Sequence, residues 1–299
     1  MPEAKRALIT GVHGFTGRYV AAELARAGYE VHGLSAAPVA DGGVQDHVAD
    51  LTRADEVAHA VAAAAPDVVI HLAAIAFVAH GDAEAFYRVN VVGTRNLLAA
   101  LAQLPRLPSA VLLASSANIY GNATGGVLSE ETPADPANDY AVSKLAMEYM
   151  ARLWMDRLPI TLVRPFNYTG VGQGEQYLLP KIVAHFKRGE AVIELGNLDV
   201  WRDFGDVRAV AHAYHRLIES GVRGVTVNVC SGQVHSLREV VAMAADIAGR
   251  DIEIRVNPAF VRANDVKTLQ GDPARLRALV GDWQCPPLRD TLAWMLEAS

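Results

Sequence analysis

Over the first 165 residues, apolar runs of strand length alternate with stretches whose apolar positions repeat at helical spacing. Residues 6–10 read as a first strand, 15–27 as a helix and 30–34 as a second strand. Residues 54–64 are helical. Residues 67–72 (DVVIHL) form a third strand, continuous and apolar as a strand buried on both faces should be. The pattern then predicts a long helix over 83–104, a fourth strand over 110–115, a helix over 140–157 and a fifth strand over 160–164. This rhythm predicts an α/β fold built on a parallel, doubly wound sheet.

After Pro165 the rhythm breaks. Residues 166–177 (FNYTGVGQGEQY) are glycine-rich and polar, which suits a loop near a ligand. A helix is expected around 180–188, another over 203–219, and a late sheet strand over 225–229. Beyond Ser231 come two or three helices separated by a short strand near 252–256. The expected division is a large domain, 1–165 with about 201–230, and a smaller one, about 166–200 with 231–299. There is no internal repeat, and the alanine-rich stretch 58–65 reads as plain helix.

The junction of first strand and first helix is Gly11-Val12-His13-Gly14-Phe15-Thr16-Gly17, a G-x-x-G-x-x-G spacing. Gly11 suits a tight turn, Gly14 a close approach by a pyrophosphate, and Gly17 close packing of helix on strand. Free N–H groups and the positive end of the helix then face the phosphates. The alternative is a glycine-rich turn without a ligand; the strand–loop–helix context favours dinucleotide binding by the larger domain. An NAD site commonly has an acid at the end of the second strand, where this chain has Ser35. With Arg18 just after Gly17, this leans towards NADP, NAD remaining open. Asp50-Leu51 is placed to meet an adenine, or Asp50 is an acid at a helix N-terminus.

Tyr140 and Lys144 share one face of a predicted helix. A free phenol has a pKa of about 10. An ammonium about 5 Å away contributes roughly 3 kcal/mol, or about two pKa units, towards the phenolate at an effective dielectric of about 20. That would suit general acid–base work near neutral pH. The spacing also recurs by chance, as in Tyr177 and Lys181, which read as background. Ser116, just past the fourth strand, favours the first pair, because ligands sit at the C-terminal edge of a parallel sheet. It could orient a substrate oxygen for Tyr140, or be merely a polar strand end with Ser115.

Composition narrows the class. The 299 residues are 51% hydrophobic and carry a net charge of −6, the wrong sign for a general nucleic-acid or anionic-membrane binder. Cys230 and Cys285 stand far apart and read as reduced thiols. Residues 7–9 are too short an apolar run for a signal peptide or membrane span, so a cytoplasmic location is expected. His212 and His215 lie at helical spacing without a third ligand candidate nearby in sequence, so they read as helix-surface residues and no metal is expected.

Taken together, the chain resembles extended short-chain dehydrogenases/reductases of the epimerase/dehydratase family. The resemblance rests on the three glycines, His71-Leu72-Ala73-Ala74, Asn90 in Val89-Asn90-Val91, residues 115–121 (SSANIYG), residues 140–144 (YAVSK) and Arg164-Pro165-Phe166-Asn167. It implies a Rossmann-type sheet with a smaller α/β substrate domain. It implies cofactor contacts at Gly11, His13, Gly14, Phe15, Thr16, Gly17, Arg18, Ser35, Asp50, Leu51, Leu72, Ala73, Ala74, Asn90, Ser115, Tyr140, Lys144 and Pro165. For His71 an ordinary strand-end role stays open, and for Asn90 a cap or bridge within its helix.

Residues 196–204 (GNLDVWRDF), 228–232 (NVCSG) and 262–265 (RAND) are similar to segments of GDP-mannose 4,6-dehydratases and GDP-4-keto-6-deoxy-mannose reductases. The likeness implies a GDP-linked sugar substrate. Arg202 and Arg262 would clamp the diphosphate, Asn167 would hold phosphate or sugar, and Asn197 would face the nucleotide. Phe77, Ser116, Ala117 and Asn118 would line the sugar site, although residues 77–82 do not map onto the family's pattern. A surface ion pair, Arg202 with Asp203 or Asp206, is the simpler alternative for that arginine. Dehydratases of this family carry a carboxylate one or two residues after the serine or threonine, where this chain has Ala117 and Asn118. That leaves the equipment for carbonyl reduction: Tyr140 as proton donor, Lys144 on the cofactor ribose, Ser116 on the oxygen. A 4-epimerase with retained NAD and a non-catalytic dinucleotide-binding regulator are the alternatives. The resemblance also implies a homodimer, paired through the helices over 83–104 and 140–157.

Overall fold

The computed structural model describes residues 4–37, 44–76, 82–121, 126–260 and 267–298. Its first half runs β1 (Arg6–Thr10), α1 (Phe15–Arg26), β2 (Glu30–Ser35), β3 (Gln45–Val48), α2 (Ala54–Ala64) and β4 (Val68–His71). A helical stretch follows as α3 (Ala83–Tyr87), a π-helical segment (Arg88–Gly93) and α4 (Thr94–Leu101). Then come β5 (Ala110–Ala114), β6 (Val127–Leu128), α5 (Asp139–Arg152), β7 (Ile160–Pro165) and β8 (Asn167–Thr169). The second half contains α6 (Leu178–Arg188), β9 (Val192–Leu195), β10 (Trp201–Asp206), α7 (Val207–Glu219) and β11 (Val225–Val229). It ends with β12 (Val234–Ser236), α8 (Leu237–Ala248), β13 (Glu253–Val256), β14 (Thr268–Gly271), α9 (Ala274–Val280) and α10 (Leu288–Glu297).

Seven strands form one parallel sheet in the order β11-β7-β5-β4-β1-β2-β3. The order reverses between β1 and β4, and a crevice at such a switch point is where open α/β sheets take ligands. Every residue of β4 and β7 is buried, as their continuous apolar runs require. On one face the sheet packs against α1 and α7, through Val20, Leu24, Tyr214 and Leu217. On the other it packs against α2, α4 and α5, through Val57, Val61, Leu97, Leu101 and Met147. A separate core of Ile182, Phe186, Val240 and Leu292 joins α6, α8 and α10. Around it lies a second sheet, β12-β10-β14-β6, with β8 paired to β10.

Several expectations need correcting. Residues 203–206 are strand, not helix, because β10 is paired by β8, β12 and β14 before Asp206 caps α7 through the Arg208 N–H. The loop expected over 166–177 contains β8, and β3 had no expectation at all. The helix expected over 140–157 ends at Arg152 and gives way to turns.

Candidate active site

The glycine turn fills one side of the switch-point crevice. Gly11 has φ +69°, open to glycine at no steric cost, and its N–H donates to the Leu34 carbonyl at 3.0 Å. A Cβ on Gly17 would fall 2.2 Å from the Gly11 carbonyl oxygen, so only glycine lets α1 start this close to β1. Gly14 caps α1 without a side-chain bond, and the first turn holds no acid. The leading N–H groups and the positive helix end therefore stay available to an anion.

Across the crevice, at the end of β4, His71 is fully buried between two hydroxyls, Thr10 Oγ1 at 2.7 Å from Nδ1 and Thr94 Oγ1 at 2.8 Å from Nε2. Thr10 Oγ1 also accepts the Leu72 and Ala73 N–H groups at 3.1 Å, and Thr94 Oγ1 donates to the Asn90 carbonyl. The hydroxyl proton of Thr10 must then go to Nδ1, which fixes the proton of the ring on Nε2. Burial, reinforced by the nearby Lys144 ammonium, pushes His71 down to about 3, so the ring is neutral. This chain of bonds sets the backbone of the Leu72-Ala73-Ala74 loop.

Asn90 lies in the π-helical segment, a feature often found at functional sites. Its amide bonds Ile75 through both backbone groups and donates to Ser143 Oγ at 3.0 Å; Ser143 in turn donates to the Tyr140 carbonyl. It thus bridges the loop after β4 to α5 rather than capping its own helix.

Ser116 follows β5, and its hydroxyl accepts the Asn118 N–H at 3.1 Å. Tyr140 lies in the first turn of α5, which Asn138 caps through the Ala141 N–H. The expectation that Lys144 draws the Tyr140 phenol towards the phenolate is corrected here. Burial pushes that phenol up to about 12; a hydrogen bond with Ser116 pulls it down, and the phenols of Tyr168 and Tyr177 push it up further. Lys144 Nζ instead donates to the Ala114 carbonyl at 2.8 Å. Burial brings its ammonium down to about 8, opposed by Glu148.

One further turn along α5, Glu148 takes both forks of Arg164 at 2.9 and 2.7 Å in a fully buried pair. Arg164 also donates to Tyr120 Oη, which donates to Asn228 Oδ1. The network ties α5 to β7, to β11 and to the turn after Ser116. Sequence reasoning missed Glu148, although it continues the 140–144–148 stripe and a buried acid demands a partner. Thr94, four residues after Asn90, was equally findable. Tyr168 was not: its hydroxyl meets Thr16 Oγ1 at 2.7 Å, and its ring stacks on Phe15, across 152 residues of chain.

The cofactor and sugar candidates scatter more than expected. Arg18 donates to the Gly172 carbonyl, and Tyr19 to that of Val171, on the segment after β8. Ser35 donates to the Ala37 carbonyl. The absence of a carboxylate near the end of β2 does not hold in three dimensions: Asp46 on β3 grips His13 Nε2 with both oxygens, at 2.8 and 2.9 Å. Asp50 forms a turn with Thr52 before α2, its carboxyl held low by those bonds, and Leu51 is buried in the core. Pro165 ends β7, and Ala117 is buried beside Ser116. Asn167 is exposed on β8, and Asn197 accepts the Asp199 N–H. Arg202 donates to the Trp201 and Lys267 carbonyls. Of its suggested acidic partners, Asp206 is taken by Arg208, and Asp203 by Ser231 and Gly232. Phe77 and Arg262 lie outside the described residues. The second Tyr-x-x-x-Lys copy divides: Tyr177 bears on Tyr140, while Lys181 turns to the Glu194 carbonyl.

The residues present fit a dinucleotide. The uncapped helix start and the glycine cradle suit a pyrophosphate, and Ser115 Oγ is buried at the sheet edge with no partner among the described residues. Among those residues no helix is long and apolar enough to cross a membrane.

The sequence model of the GDP-mannose 4,6 dehydratase family matches residues 8–285. The chain is 35% identical to GDP-6-deoxy-D-talose 4-dehydrogenase of Aggregatibacter actinomycetemcomitans, over 92% of this chain and 91% of that one. It is 34% identical to GDP-6-deoxy-D-mannose reductase of Pseudomonas aeruginosa, over 94% and 97%. Among solved structures, an epimerase candidate from Burkholderia cenocepacia J2315 superposes with a TM-score of 0.95 at 54% identity, over 99% and 98% of the two chains. RMD from Pseudomonas aeruginosa complexed with NADPH superposes with a TM-score of 0.85 at 33% identity, over 98% of each. On sequence, sheet order and crevice alike, the chain belongs to the GDP-mannose 4,6 dehydratase family and is a nicotinamide-dependent oxidoreductase of the short-chain dehydrogenase/reductase type.

Proposed function

We propose that this protein reduces the C4 ketone of a GDP-linked 4-keto-6-deoxy-hexose, with NADPH as the preferred cofactor. The observation that carries the reading is the pairing of a protonated, buried Tyr140 with Ser116, followed by Ala117 and Asn118, neither of which can remove a C5 proton as a dehydratase must. A bound nicotinamide dinucleotide supplies or accepts the hydride. The chain's own residues do the rest. Ser116 holds the ketone oxygen by hydrogen bonding. Tyr140, with its phenol near 12, keeps its proton at neutral pH and delivers it from Oη to the oxygen as negative charge develops there. Lys144, whose Nζ donates to the Ala114 carbonyl, is the cation that would hold a cofactor ribose. Ser35 puts no acid of its own at the end of β2, and the Asp46 carboxylate nearby is engaged by His13, which supports NADPH. The relatives named for GDP-6-deoxy sugars supply the substrate class.

The test is incubation of the purified protein with GDP-4-keto-6-deoxy-mannose and NADPH or NADH, following loss of the reduced nicotinamide and the appearance of a GDP-6-deoxyhexose. No turnover with any GDP-linked ketose sinks the reading. A 4-epimerase is the second reading, favoured by the likeness to the Burkholderia epimerase candidate. It predicts NAD that stays bound through purification, is released on denaturation, and supports turnover without added cofactor.

A further inference from the structure

Glu23 on α1 faces His212 and His215, three residues apart on α7. Both imidazoles place Nδ1 on the same carboxylate oxygen, Oε1, at 3.0 and 3.2 Å. Arg26 takes the other oxygen, Oε2, at 2.9 Å. One ligand atom from each of the three residues lies within 4.8 Å of the others. We propose that Glu23, His212 and His215 form a binding site for a single first-row divalent metal ion of the zinc type, bridging α1 and α7.

The donor set suits that chemistry. Two imidazoles and a carboxylate are borderline ligands of the kind zinc, nickel and copper prefer over magnesium or calcium. Metal–ligand bonds of about 2.0–2.2 Å put tetrahedral neighbours roughly 3.3–3.5 Å apart; the two carboxylate–imidazole separations, 3.0 and 3.2 Å, are close to this, and the imidazole pair lies within 4.8 Å. The carboxylate is ionised: burial works against it, but the bonds from His212 and His215 and the charge of Arg26 hold it below the usual range. With Oε2 on Arg26, Glu23 would bind through one oxygen, and three protein ligands leave the fourth position to water. Glu23 and His215 are mostly covered, with side-chain exposures of 13% and 18%, while His212 is 44% exposed, which provides an entry path. The His215 ring packs edge-on against Tyr29, which restrains its rotation. The site lies about 12 Å along α1 from the glycine turn, and it stands or falls independently of the substrate assignment. It would act as a staple across the two helices that cover one face of the main sheet.

The test is calorimetric titration of the chelator-stripped, full-length protein with Zn²⁺, together with thermal unfolding at increasing Zn²⁺. One ion per chain is expected, with a Tm that rises with metal concentration. Affinity should fall at acid pH, because a metal binds only the deprotonated form of such ligands. The double variant His212→Gln/His215→Gln should lose at least about tenfold in affinity, and the Tm response with it, while its circular dichroism stays that of the parent. Glu23→Gln, which keeps the shape and removes the charge, should weaken binding as well. Absence of saturable one-to-one binding overturns the proposal. So does binding that survives in the double variant, which would put the ion on other histidines.

Discussion

Burial widens the pH range over which Tyr140 and His71 stay uncharged, and the consequences for the molecule differ. Replacing Tyr140 with Phe removes the proton donor while keeping the ring, so kcat should drop by about 100-fold to 10,000-fold with little change in cofactor affinity. Unchanged turnover in that variant would remove Tyr140 from the chemistry. His71, held near 3, binds no proton in the folded state at mildly acid pH, whereas an unfolded histidine titrates at about 6.5. Between those values the unfolded chain holds more protons, so folding stability should fall as pH is lowered from 6.5 towards 3. Denaturant unfolding at stepped pH checks this, and His71→Gln should flatten the dependence in that window. Ser35→Glu should turn the preference from NADPH towards NADH by tenfold or more, of the order expected for an acid meeting a 2′-phosphate; the ratio of kcat/KM for the two cofactors reads it directly.

At the scale of elements, α5 matters most, since it carries Tyr140, Lys144 and Glu148 on one buried stripe. Glu148→Gln leaves Arg164 as a buried cation without its counter-charge, and should cost about 3–5 kcal/mol in urea unfolding with an unchanged slope. Replacing both partners with apolar residues should cost less. The dinucleotide half was largely legible in the chain: β1, α2, β5 and β7 announce themselves through uniform apolar runs and clear helical periodicity. The elements that escaped are short or polar. β3 (QDHV) has no apolar pattern, because its residues lie at the sheet edge, and β8 and β10 owe their form to each other across about 35 residues of sequence. The interruption of the helix at Arg88–Gly93 is equally silent in sequence. The same limit applies to the site. Tyr140, Ser116 and the glycines could be found from local spacing, whereas Asp46 against His13 and Tyr168 against Thr16 depend on tertiary pairing that no local pattern encodes.

For the whole molecule, we propose that two copies pair through α5 and the helical stretch before β5. α5, its C-terminal end and the stretch before β5 expose Leu153 at 80%, Tyr149 at 61%, Val92 and Val142, apolar side chains that a lone copy would leave in water. Sedimentation should report a dimer, and Leu153→Glu with Tyr149→Glu should yield monomers; a parent protein that sediments as a monomer ends the idea. Within one copy, the first turns of α1 reach β8 and the segment after it, where Thr16 meets Tyr168 and Tyr19 and Arg18 donate to the Val171 and Gly172 carbonyls. That same stretch of helix presents its bare amides to the crevice. Any shift of the segment after β8 against α1 would therefore be felt at the helix start suited to a pyrophosphate.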